Sequence, residues 1–229
     1  KNLTKLTLNW QGVRYLQAAD LKNLMTQLTE LPKLRHLKLF LGNCVKGKGS
    51  MTELGIGLQA LKNLRSLYLG LGMMGDEIED PGMIAFFKKI GDLVNLEVFS
   101  INLSSTVFVK MPHIEALART VSRLVNLKKL GIIMNNIGEY GETNSQGFLS
   151  IISATIRNLR MLEEFRYEQA SWSSLMLDNQ VLDLYKAIKN HPKFANLVLN
   201  VATEQVNLQE LFKGYLDISN QGALFEDDL

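Results

Sequence analysis

The apolar pattern of this chain repeats with a period near 31 residues, and a self-similar period of that length restricts the fold to stacked, near-identical units. The copies are NLTKLTL (2–8), KLRHLKL (33–39), NLRSLYL (63–69), NLEVFSI (95–101), NLKKLGI (126–132), MLEEFRY (161–167) and KFANLVL (193–199). Their first anchors, Leu3, Leu34, Leu64, Leu96, Leu127, Leu162 and Phe194, follow one another at 31, 30, 32, 31, 35 and 32 residues.

Each copy contains two periodicities. After the anchor comes strict alternation: Leu6, Leu8, Trp10; Leu37, Leu39, Leu41; Leu67, Leu69, Leu71; Phe99, Ile101, Leu103; Leu130, Ile132, Met134. Alternation over five residues marks a short strand with one buried face. Before the anchor the spacing is helical. In IEALARTVSRLVNL the set Ile114, Leu117, Val121 and Leu124 lies on one helix face, and 82–96 and 148–162 read the same way. A polar, glycine-containing loop separates strand from helix. A strand re-entered in the same direction after every helical crossover gives a parallel sheet, and no unit buries its own apolar face without its neighbours.

Repeated LxxLxL segments with an intervening helix resemble the leucine-rich repeat, closest to its long, helix-containing class typified by ribonuclease inhibitor. The resemblance covers about residues 1–201. It implies an α/β solenoid of about seven repeats, a horseshoe with parallel strands on the concave face and helices on the convex face. Two features depart from the family. The repeats are longer, and the Asn that follows the strand appears only at Asn135, with Gln11, Gly42, Gly72, Ser104, Ala170 and Ala202 elsewhere. The extra apolar residues Trp10, Leu41, Leu71, Leu103, Met134 and Val201 predict strands extended by one more buried position.

Residues 1–229 read as one domain, with repeats over 1–201 and a C-terminal cap and acidic tail over 202–229. The cap is expected as a helix over 203–216, with Thr203 at its N-terminus and Val206, Leu208, Leu211 and Phe212 turned to the core. At the other end a strand comes first, with no helix before it. That end is expected to be covered by further residues of a longer protein or by a partner in an assembly.

Composition excludes several function classes. Lys and Arg number 25 against 23 acidic residues, a balance that argues against nucleic acid and membrane surfaces as partners. No apolar run reaches membrane-span length, and KNLTKLTLNW lacks the apolar core of a signal peptide. The single Cys44 suits a reducing compartment, so the expected location is cytoplasmic, with Cys44 a free, inert thiol.

No motif carries catalysis, and no cofactor is expected. GLGMMG (70–75) matches a dinucleotide fingerprint, but the acids of DEIEDP follow where a helix N-terminus would be needed. GNCVKGKG (42–49) approaches a phosphate loop, yet Gly49 stands where a metal-binding hydroxyl is required. His36, His113 and His191 fall in separate repeats, without metal-ligand spacing; His36 is expected to face solvent. The adjacent Glu163 and Glu164 point to opposite strand faces or into a turn and do not form an acid–base pair.

The informative surface is the row of strand residues between the buried ones. Those singled out as partner-binding are His36, Lys38, Phe40, Ser66, Tyr68, Val98, Ser100, Lys129, Ile133, Glu164 and Arg166. An aromatic and aliphatic stripe flanked by charges of both signs fits a protein-binding surface, with Phe40 and Tyr68 as anchors. The expected function is therefore a non-enzymatic scaffold that binds another protein through its concave face. The alternatives are a regulatory module of a catalytic system, resembling the GTPase-activating protein of the Ran system or a repeat domain beside a kinase or ubiquitin ligase, and a structural subunit of a large complex.

Overall fold

A computed structural model describes residues 2–13, 15–73, 80–106, 109–137, 147–169, 178–201 and 207–215. Strands and helices alternate throughout: β1 (Lys5–Asn9), α1 (Ala18–Thr29), β2 (His36–Phe40), α2 (Ser50–Ala60), β3 (Ser66–Gly70), α3 (Asp80–Ile90), β4 (Val98–Asn102), α4 (Met111–Arg123), β5 (Lys129–Ile133), α5 (Phe148–Ile156), β6 (Glu164–Gln169), α6 (Asp178–Ile188), β7 (Asn196–Val201) and α7 (Leu208–Leu211). The strands form one open parallel sheet in sequence order, β1 to β7.

The register follows the sequence repeat. Leu6, Leu37, Leu67, Phe99, Leu130, Phe165 and Leu197 are successive partners across the sheet, and so are Leu8, Leu39, Leu69, Ile101, Ile132, Tyr167 and Leu199. Both columns face the helices, and from β2 to β6 they are fully buried in one apolar core with Leu54, Leu58, Phe86, Phe87, Ile114 and Leu117. Sequential strand order with crossovers of one hand requires every helix to lie on the same side of the sheet. Consecutive helices from α1 to α6 accordingly pack on one another.

The helices stop short of the anchors. Leu124 N donates to Val121 O and Leu127 N to Leu124 O, both at 3.0 Å, and the same tight turn recurs at Leu61–Leu64, Leu93–Leu96 and Leu159–Leu162. The three-residue step before each anchor is therefore a hydrogen-bonded turn, not a last helical turn. At its end one carbonyl receives two amides of the next unit: Arg35 O takes Arg65 N and Ser66 N, Arg65 O takes Glu97 N and Val98 N, and Glu97 O takes Lys128 N and Lys129 N. Beside that column Asn63, Asn95 and Asn126 each donate a side-chain amide to the unit before.

The extra apolar position after the strands is real. Leu41, Leu71, Leu103 and Met134 are completely buried. Ladder bonds continue through them, from Leu41 N to Gly70 O and from Leu71 N to Asn102 O. The chain then turns through a left-handed residue in successive units, Asn43, Met73, Ser105 and Asn136, with φ of 55, 56, 57 and 54°. In two of these stacked turns the residue after the buried position is glycine for a steric reason. A Cβ on Gly42 would stand 2.8 Å from the Gly72 carbonyl oxygen, and one on Gly72 2.9 Å from that of Ser104. Backbone against backbone leaves no room for a side chain there.

The sheet ends differ. Leu197 N in β7 donates to Tyr215 O, and Phe212 is fully buried against Tyr185, so the last segment closes that edge. Of the segment expected as a capping helix, α7 is described over Leu208–Leu211, where Asn207 caps it by accepting from Glu210 N at 3.2 Å; Thr203 and Val206 lie outside the described residues. At β1, Leu6, Leu8 and Trp10 are only partly buried, whereas their counterparts Leu37, Leu39 and Leu41 are fully so. Among the described residues no helix is long and apolar enough to cross a membrane.

Candidate functional site

One face of the sheet carries helices; the other carries three transverse rows of side chains, aligned by the strand register. The first row runs Lys5, His36, Ser66, Val98, Lys129, Glu164, Asn196. The second runs Thr7, Lys38, Tyr68, Ser100, Gly131, Arg166, Val198, and the third Asn9, Phe40, Gly70, Asn102, Ile133, Glu168, Asn200. Every residue singled out in the sequence falls in these rows and points away from the helices.

Their exposure differs from expectation. Tyr68 and Ile133 are 3% and 4% exposed, Ser66 and Ser100 1%, and Arg166 5%. The cause is lateral crowding. Parallel strands lie about 4.8 Å apart, less than the width of most side chains, so each residue is covered by its row neighbours. On the edge strand β1, with one neighbour, Lys5, Thr7 and Asn9 are exposed; in β3, with two, every residue is buried. Tyr68, Ile133 and Val198 are buried outside the main core, as a second apolar layer on the free face.

Three zones follow one another along the face. At β1–β3 the strands carry Lys5, His36 and Lys38 and no carboxylate. His36 is half-buried rather than solvent-facing, and its Nδ1 is buried without a partner. Burial, then the cations Lys5 and Arg35, hold its pKa below the usual histidine value against the pull of Glu97. Phe40 and Tyr68 stack with ring centroids 4.9 Å apart at 41°. Gly70 leaves space for the pair, since a Cβ there would meet Phe40 Cδ1 at 3.2 Å.

The centre is a floor of small residues, Ser66, Gly70, Ser100 and Gly131. The hydroxyls of Ser66 and Ser100 are buried and have no hydrogen-bond partner among the described residues. The far zone is ion-paired. Lys129 Nζ lies 3.4 Å from Glu164, and Arg166 Nε donates to Glu168 Oε1 at 2.6 Å. At the rim before the strands, Arg65 and Lys128 flank Glu97 at 2.8 and 2.7 Å, and the hydrogen bond from Lys128 leads in holding its carboxyl below the usual range.

Other candidate residues are taken up by structure. Cys44 is fully buried and donates to Leu41 O at 3.0 Å, and burial pushes its thiol up to about 11. His113 Nδ1 accepts from Lys110 N at the start of α4, and His191 Nε2 lies 2.9 Å from Leu159 O. In the 42–49 loop, Lys46 Nζ sits 3.6 Å over the Tyr15 ring, and the Ser50 hydroxyl donates to Lys46 O. Of 70–75, Met74 and Gly75 lie outside the described residues, as do the acids Asp76, Glu77 and Glu79. Among the described residues no group of His, Cys, Asp and Glu could hold a metal ion.

Glu168 and Asn102 belong to the outward-facing strand rows by sequence but are not among the residues singled out there, and the register places both on this face. Their period-2 offset from Glu164 and Arg166, and from Val98 and Ser100, was the available signal. On the helical side an open groove of about 420 Å³ runs between α4 and α5, lined by Arg119, Ala118, Ser122, Ile151 and Ala154 among others. Comparison of the chain with models of known protein families and with curated proteins finds no match.

Proposed function

We propose that the chain is a leucine-rich-repeat-like solenoid and a non-catalytic module that binds another protein, in the cytoplasm, through the free face of its sheet. The observation that carries this reading is the set of three in-register rows, which build one continuous, chemically zoned surface that none of the described helices covers. Helices pack about 8–10 Å apart and strands about 4.8 Å, so one helix per strand on one side curls the sheet with its free face inward. The low exposure of the central rows supports that curl. An inward-curved face with an aromatic pair, small residues and charges of both signs has the composition of a protein-recognition surface.

The test is affinity capture from native extract with the wild-type chain and two variants, Phe40→Ala on the face and Ala154→Arg in the helical groove. Loss of one specific partner with the first variant and retention with the second supports the reading. The opposite pattern overturns it.

A further inference from the structure

Ser66 and His36 are direct partners in the β2–β3 register, on the free face of the sheet. The Ser66 hydroxyl and the His36 Nδ1 are both buried and both without a hydrogen-bond partner among the described residues. A buried polar atom left unsatisfied costs free energy comparable to a lost hydrogen bond, so two side by side mark a place where a ligand supplies the missing partner.

The surrounding charge identifies the ligand. Lys5 and Lys38 stand on the same face, and Arg35 lies immediately before β2. The strands β1, β2 and β3 carry no acidic residue. Among the described residues the carboxylate acting on His36 is Glu97, and it is already held by Arg65 and Lys128. In the tautomer that carries its hydrogen on Nδ1 the His36 imidazole donates, as the Ser66 hydroxyl does; two donors inside a cationic surround take an anionic acceptor with more than one lone pair, and a carboxylate meets that need. The neighbouring Phe40–Tyr68 pair supplies an apolar contact alongside.

Resting on the reading of the free face as a protein-binding surface, we infer that its β1–β3 end docks an acidic peptide segment of the partner. A carboxylate of that segment accepts from the Ser66 hydroxyl and the His36 imidazole, and Lys5, Arg35 and Lys38 provide the attracting field.

The experiment uses the full chain and a fluorescent, end-blocked peptide of alternating Glu and Val, with its Gln–Val counterpart, at about 50 mM salt where surface charges are weakly screened. The Glu peptide is expected to bind at least tenfold tighter than the Gln peptide. Ser66→Ala is expected to weaken it about fivefold with a melting temperature no lower than wild type, since the hydroxyl has no partner among the described residues to lose and its unsatisfied burial is itself a cost. Lys38→Glu is expected to weaken it about tenfold, and Ser100→Ala, the other unpartnered hydroxyl on the face, to leave it unaltered. Equal binding of the Gln peptide, wild-type affinity in Ser66→Ala, or an equal loss in Ser100→Ala overturns the inference. Displacement by inorganic phosphate at the peptide's own concentration, or tighter binding of a single-stranded oligonucleotide, overturns it in favour of a general anion site. If Phe40→Ala abolishes partner capture while the Glu peptide fails to bind, this inference falls and the wider reading stands. If no face variant affects capture, both fall.

Discussion

The side-chain amide of Asn95 donates to the backbone oxygen of Lys62 at 3.0 Å, tying one unit to the one before it. Asn63 does the same to Pro32 at 3.0 Å and Asn126 to Val94 at 2.9 Å. These asparagines open the segments NLRSL, NLEVF and NLKKL, ahead of the strand rather than after it. An interunit asparagine ladder is thus present, on the side of the sheet opposite the stacked glycine turns.

Asn95→Ala is expected to cost about 1 kcal/mol, the usual net value of one hydrogen bond in a partly wet setting. Asn95→Asp is expected to cost more, because it sets a carboxylate oxygen against the Lys62 carbonyl. Urea midpoints of the two variants check this. Equal stability of wild type and Asp variant removes the ladder from the forces that hold the units together.

Tyr68 and Phe40 separate stability from recognition. Tyr68 is buried beneath its row neighbours, so Tyr68→Ala leaves a cavity and is expected to cost about 3 kcal/mol. Phe40 is half-buried at the edge of the same stack, and Phe40→Ala is expected to cost about half as much. Thermal melts rank the pair. A Tyr68→Ala variant as stable as wild type would show that the free-face layer adds nothing to the fold.

The sequence revealed the column of Leu6, Leu37, Leu67, Phe99, Leu130, Phe165 and Leu197, because an apolar anchor repeated at a fixed offset from a strand can only stack. It also revealed the burial of Leu41 and Leu71, since alternation continues through them. It could not show that Ser66, Tyr68 and Arg166 would be covered. Alternation assigns a residue to a face, and coverage on that face depends on what adjacent strands place beside it. Nor could it show that Gly42 answers to a carbonyl of the next unit, a contact set by stacking distance alone.

Cys44 gives a pH signature. Its folded thiol ionises only near pH 11, whereas an exposed thiol does so near 9. Between those values the native state holds a proton that the unfolded chain has lost. The stabilising effect is therefore intact below about pH 9 and lost as pH rises towards 11, at about 1.4 kcal/mol per pH unit. Urea midpoints from pH 8 to 10.5 are expected to fall more steeply in the wild type than in Cys44→Ala. Buried Tyr167, also raised by desolvation, contributes equally to both and cancels. Parallel curves would place Cys44 in water.

The partner surface is decided by setting the two sides of the molecule against each other. On the free face, Lys38 stands in the row next to the Ser66 hydroxyl and the His36 Nδ1, with Phe40 one row further along the strand. On the helical side, the α4–α5 groove offers Ala118 and Ala154 beside Arg119. Aromatic anchors at an interface typically cost 2 kcal/mol or more on truncation, roughly thirtyfold in affinity, while rim charges act on the association rate. Once a partner is purified, Phe40→Ala is expected to raise the dissociation rate with little effect on association. Lys38→Glu is expected to slow association, with an effect that shrinks as salt rises towards 0.5 M and the screening length falls to about 4 Å. Ala118→Arg and Ala154→Arg are expected to leave both rates unchanged. Surface plasmon resonance at two salt concentrations reads all four variants. Wild-type kinetics in the face variants, with impaired binding in the groove variants, would move the interface to the helices.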